Sequence, residues 1–156
     1  MRSLPALLGT LALALALGSL VVGHLLLIPA LAGNTDLIDA NLARTLAEPL
    51  ALECATLIGF ACVALAGLAK PWLKHTLGLS VSLVAVAIAA LDRLALLPRM
   101  QAAWSRVDLV AGRPVERVRE AEQLQQTHEI ALILLLVALV SLVVLATWQR
   151  AKPSPA

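Results

Sequence analysis

Residues 128 to 148 read HEIALILLLVALVSLVVLATW, and no charged side chain follows Glu129 until Arg150. At 1.5 Å per residue such a run is about 30 Å long, the thickness of a bilayer's hydrocarbon core. A helix on a soluble protein keeps a polar face, and this stretch has none, so it reads as a membrane crossing. Three further blocks have the same character: Pro5 to Leu31, Ala47 to Ala69 and Leu77 to Pro98. Four crossings predict an all-α, antiparallel four-transmembrane-helix bundle with both termini on one side of the bilayer.

The whole composition agrees. Of 156 residues, 60% are hydrophobic and 14% charged, with a mean hydropathy of +0.90, whereas globular domains carry about 25% charged residues. A net charge of +2, one Phe and no Tyr provide neither the basic surface nor the stacking platform that nucleic acids require. The partner implied is the lipid bilayer. The N-terminus resembles a secretory signal, with Arg2, a Leu/Ala run and Ala30-Leu31-Ala32 before Gly33. Its apolar stretch, from Leu4 to about Leu31, is longer than the roughly 7 to 15 residues of a signal core, so a retained first helix is expected.

The connections differ in character. In Asn34 to Leu46, Ile38, Leu42 and Leu46 recur every four residues among Asp36, Asp39 and Arg44, the pattern of a short amphipathic helix. Lys70 to Thr76 is short and basic, and His75 within it reads as solvated. Residues 99–127 form the one long polar segment. Gly112-Arg113-Pro114 marks a loop and a helix start, and charge pairs three apart from Glu116 onward describe a polar helical extension into the fourth crossing. Arg2, Lys70, Lys74, Arg150 and Lys152 lie on the side of the termini, which predicts cytoplasmic termini in a multi-pass protein of a bacterial inner membrane. The five arginines of residues 99–119 oppose that orientation.

Titratable side chains inside a crossing are costly and mark candidate sites. Counting from each span's midpoint, His24 falls about 10 Å past the centre, Glu53 about 7 Å before it, Asp92 and Arg93 about 7 to 9 Å past it, and His128 about 15 Å before it. Because successive helices run in opposite directions, all five lie in the half of the membrane away from the termini. They form the candidate ligand- or proton-binding cluster, with Glu48 and Glu129 at its periphery. Pro29 and Pro49 withdraw helical hydrogen bonds beside it. One reading is an Arg93 ion pair with Glu53 or Asp92 that locks helix register. Another is a water-accessible pocket for a small solute, ion or proton. A third is a haem or transition-metal site on His24 and His128, with Glu53 or Cys54 as further ligands.

Ala51, Ala55, Gly59 and Gly67 recur at multiples of four on helix two, a small-residue row suited to packing within the bundle or to a homo-oligomer. Trp72, Trp104 and Trp148 are placed for interfacial belts. Cys54 and Cys62, about 12 Å apart on one helix, cannot bridge each other there. Leu132 follows His128-Glu129 where a zinc-protease helix needs a second His, and no phosphate loop or nucleophile elbow occurs, so no catalytic motif is found.

In His24 to Pro29, Leu97-Pro98-Arg99 and Gln125 to Leu132, the chain resembles small four-helix bacterial membrane proteins related to the eukaryotic transmembrane-protein-205-like family. Pro29, Pro98 and His128 match that family's Pro at the end of helix one, Pro at the end of helix three and His opening helix four. The resemblance, spanning about Leu11 to Leu145, implies an integral membrane protein and supplies no activity. The leading expectation is a non-enzymatic membrane protein that binds or moves a small solute, ion or proton. The alternatives are a haem- or metal-binding redox subunit and an assembly protein using Pro114 to Gln126.

Overall fold

The computed structural model describes residues 4–33, 39–73, 76–107 and 115–151, which form four helices and no strand. Helix α1 comprises Leu4–Gly18, a widened stretch Ser19–Leu27, and Ile28–Gly33. Helix α2 is Ala40–Leu73. Helix α3 comprises Thr76–Leu91, a second widened stretch Asp92–Leu96, and Leu97–Trp104, and α4 is Val115–Ala151. Each is long and apolar enough to cross a membrane, over Leu4–Leu31, Asn41–Leu73, Thr76–Trp104 and Val118–Gln149. Helices adjacent in sequence pack side by side, and α1 closes against α4, giving a four-membered ring around one core.

Two connections are more helical than the sequence pattern implies. The amphipathic segment is, from Ala40, the first turns of α2 and not a separate helix. Asp39 starts it: its carboxylate accepts the Asn41 N–H at 2.7 Å and its carbonyl accepts the Ala43 N–H at 2.8 Å, the geometry of an N-cap. Pro49 lies inside α2 with its ring exposed, where losing one hydrogen bond does not end the helix. Helix α4 passes Thr127 unbroken, and the Thr127 hydroxyl donates back to the Gln123 carbonyl at 2.8 Å. Its 37 residues are about 55 Å long, well beyond a hydrocarbon core. Residues 34–38, Lys74, His75 and the loop Gly112-Arg113-Pro114 lie outside the described residues.

The core is made of leucine knobs against small residues. Leu13, Leu20, Leu65, Leu135, Leu139 and Leu142 interlock with Ala16, Ala61, Ala85 and Ala89, all buried. Between helices in lipid there is little hydrophobic driving force, so close van der Waals contact must hold the bundle, and small residues permit it. The tightest approaches occur at glycines. A Cβ on Gly9 would meet Trp72 at 2.5 Å, and one on Gly23 would meet the Cys54 sulfur at 2.5 Å. Trp72 is therefore a buried core residue seated on Gly9 and not part of an interfacial belt. Trp148 is exposed, as a belt residue would be. Buried Ser82 satisfies its hydroxyl on the Gly78 carbonyl at 2.8 Å. At the end of the bundle bearing the termini, the Gln149 side chain donates to the Leu73 carbonyl.

The small-residue row does not form one face. Each step of four residues turns about 40° around a helix, so Gly67 stands about 160° from Ala51. Ala51 and Ala55 are buried against Leu97, whereas Gly67 is exposed and nothing lies within 4 Å of a Cβ added at Gly59 or Gly67.

Candidate functional site

Two prolines shape the site. Pro29 has no N–H to give the Leu25 carbonyl, its ring crowds that carbonyl, and the stretch before it is opened to five-residue spacing. There the Ile28 N–H bonds to the Gly23 carbonyl. Pro98 does the same to α3, where the Leu97 N–H bonds to the Asp92 carbonyl. His24 sits inside the first widened stretch and Asp92 opens the second. Such insertions into a regular helix recur at functional sites, and here both fall in the half of the bundle away from the termini.

Asp92 and His128 form a buried pair across α3 and α4, with Asp92 Oδ1 and His128 Nδ1 2.6 Å apart. An ionised carboxylate only accepts, so against it His128 donates from Nδ1, which leaves Nε2 to bond a further group. His24 on α1 meets His128 edge to face, with ring centroids 5.6 Å apart at 61°. His24 is 6% exposed, and its Nε2 has no hydrogen-bond partner among the described residues. An unpartnered buried nitrogen is destabilising by about 1–3 kcal/mol.

Beside these rings is a cavity of about 790 Å³, bounded by all four helices. Leu25, Ile28, Met100, Leu132 and Ile133 make its walls apolar, and His24 and His128 lie on its lining with Arg44, Glu48, Gln101, Gln125 and Glu129. Arg44 Nη1 donates to the Trp104 carbonyl at 2.5 Å and the Val107 carbonyl at 3.3 Å, and Nε is 3.7 Å from Glu48. Its charge thus meets carbonyls at and just past the end of α3, where the helix dipole is negative, the Trp104 carbonyl also accepting the Val107 N–H at 3.0 Å. Gln101 donates to the Glu48 carbonyl at 3.2 Å, and Gln125 to Glu129 at 3.0 Å. Arg44 and Gln101 therefore fasten α2 to α3 at the cavity's mouth, whereas the Gln125–Glu129 bond lies within α4.

Three of the five expected cluster residues, His24, Asp92 and His128, come together, and Glu48 and Glu129 lie on the cavity lining. Glu53 and Arg93 do not join them. On α2 the inward positions are Ala51, Cys54, Ala55, Ile58, Ala61 and Cys62, and Glu53 falls on the outer arc, exposed. Arg93 is about 100° around α3 from Asp92 and donates from Nε to Thr56 Oγ1 at 2.9 Å. The ion pair expected of Arg93 is absent among the described residues; the buried pair is Asp92 with His128. Arg44, Met100, Gln101, Trp104 and Gln125 were not among the expected site residues. The third helix was expected to end at Pro98, and its extension to Trp104 places Met100, Gln101 and Trp104 on the cavity.

The His24 and His128 rings supply two nitrogens, whereas a structural zinc site takes four protein ligands. Among the described residues no group of three or more His, Cys, Asp or Glu is placed to hold a metal ion. No family model matches the sequence, and neither does any curated protein or solved structure. The likeness at Pro29, Pro98 and His128 therefore carries no residue role to this site.

Proposed function

We propose that this chain is a multi-pass integral membrane protein, with cytoplasmic termini in a bacterial inner membrane, that binds a small solute with an apolar body and a hydrogen-bonding group. The observation that carries this is a roomy, mostly apolar cavity lined by His24, whose buried Nε2 has no partner among the described residues, and by His128, whose ring is held by Asp92. Pockets of about 300 to 1,000 Å³ with mostly apolar walls and a few convergent polar groups are the ordinary form of small-molecule sites. With Nδ1 engaged by Asp92, His128 keeps its other ring nitrogen for a bound group, and His24 has hydrogen-bonding capacity that the described residues do not use. Holding a solute fits better than passing one, because the half of the bundle toward the termini is filled by Leu13, Leu65, Leu139 and Leu142. The protein acts by binding, without catalysis.

Native mass spectrometry of protein extracted from membranes tests this. Wild-type protein is expected to carry a bound small molecule. Ala47→Phe, which fills the cavity from its wall, and His24→Phe are expected to lose it, whereas Gly67→Ala, exposed on the outer face, keeps it. Wild type with no adduct, or Ala47→Phe with the same adduct, would refute the proposal.

A further inference from the structure

Glu53 and Arg93 lie outside both the cavity lining and the Asp92–His128 pair, and both sit deep in their helices. From the centres of Asn41–Leu73 and Thr76–Trp104, Glu53 is about 6 Å and Arg93 about 5 Å away along the axis. Glu53 is exposed and makes no hydrogen bond or ion pair among the described residues. Arg93 is half-buried, and a guanidinium has five N–H donors. Among the described residues only Nε is used, on Thr56, whose own hydroxyl donates onward to the Leu52 carbonyl at 2.7 Å. An exposed acid and a half-buried base thus lie at mid-membrane depth with most of their bonding capacity unmet among the described residues, where lipid offers no replacement.

The two charges lie on neighbouring helices of one hairpin, α2 and α3, and are opposite in sign. A twofold axis beside that hairpin makes the surface its own complement, because in a symmetric pair residue i meets residue j and j meets i. One partner then neutralises both charges with two reciprocal contacts. Phe60, two turns beyond Glu53 on the same side of α2 and 72% exposed, supplies an aromatic body for the same contact. The Ala51 and Ala55 positions are already used inside the bundle, so this face is distinct from the small-residue row.

We propose that a second copy of this chain docks on the outer face of the α2–α3 hairpin within the membrane, with Glu53 of each copy against Arg93 of the other. The test is energy transfer between donor- and acceptor-labelled full-length chains in liposomes over a series of protein-to-lipid ratios. Wild type is expected to associate. Glu53→Arg alone and Arg93→Glu alone place like charges opposite each other and are expected to weaken association at least about tenfold. Mixing the E53R chain with the R93E chain is expected to restore it, since both contacts between unlike chains again pair an acid with a base. That mixture leaves each chain internally mismatched, so it separates pairing between copies from pairing within one. Rescue by the E53R/R93E double variant but not by the mixture assigns the pair to a single chain and overturns the proposal. So does a wild type that stays monomeric at every ratio, or single swaps that associate like wild type. If either swap fails to insert, Glu53→Gln and Arg93→Gln decide, and association unchanged in both refutes it.

Discussion

Substituting Gly23 by alanine tests the contact that sets His24 in place. A Cβ there would stand 2.5 Å from the Cys54 sulfur and 3.2 Å from its Cβ, against about 3.5 to 4.0 Å for unstrained heavy-atom contacts. Cys54 is 9% exposed and short, so rotating one side chain does not clear the space. Helices α1 and α2 have to part by roughly 1 Å, a misfit of the kind that costs about 1–3 kcal/mol. That corresponds to about a 5- to 150-fold loss in the folding equilibrium. Reversible unfolding in mixed micelles, followed by circular dichroism, would read it. Cys54→Ala removes the sulfur and leaves the 3.2 Å contact, so the G23A/C54A pair is expected to recover most of the loss. A coupling of about 1 kcal/mol or more is expected, where independent sites add within about 0.3–0.5 kcal/mol. Because His24 is the next residue, G23A is also expected to reduce retention of the bound molecule. A G23A protein that unfolds at the wild-type midpoint, or a C54A background that gives no relief, would refute the close approach of α1 and α2 and the position of His24 derived from it.

Three other outcomes are expected. Asp92→Ala removes the buried acceptor from His128 Nδ1 and should lower stability by about 1.5–3 kcal/mol, the range for a hydrogen bond to a charged group; Asp92→Asn keeps an acceptor and should lose less, as the same unfolding assay would show. Arg44→Ala uncaps the Trp104 and Val107 carbonyls and should cost about 1 kcal/mol, with faster proteolysis just after Trp104 as the local readout. Intact-mass measurement should find residues 1–32 still attached, since Leu13, Ala16 and Leu20 of α1 are part of the core; a chain beginning at Gly33 would leave that core open.

Depth was legible in the sequence and direction was not. The four helices follow from apolar runs and a fixed rise per residue, and antiparallel threading then puts His24, Asp92 and His128 at one end of the bundle. Which way each side chain points depends on helical phase, and here phase is altered by the widened stretches before Pro29 and Pro98. Asp92 and Arg93 are neighbours in sequence, yet one turns inward to His128 and the other outward to Thr56. The cavity's mouth was missed for a different reason. Arg44 and Gln101 lie in stretches polar enough to read as connections, and their bonds to main-chain carbonyls on another helix leave no periodic trace. Trp72 was misread because tryptophan near a span's end is ordinarily interfacial, whereas Gly9 opposite it opens a notch in the core.

Each five-residue turn accommodates one residue more than a regular helix would need between the same two anchoring points. Deleting a single residue within Ser19–Leu27 would let that stretch relax into ordinary α-helix while Leu13 before it and Ile28 after it kept their bearings. The same deletion in the middle of α4 would swing every later side chain by about 100° and undo the core. Slack in chain length is thus stored beside His24 and Asp92, where the lining can be re-aimed by one insertion or loss without rewriting the scaffold around it.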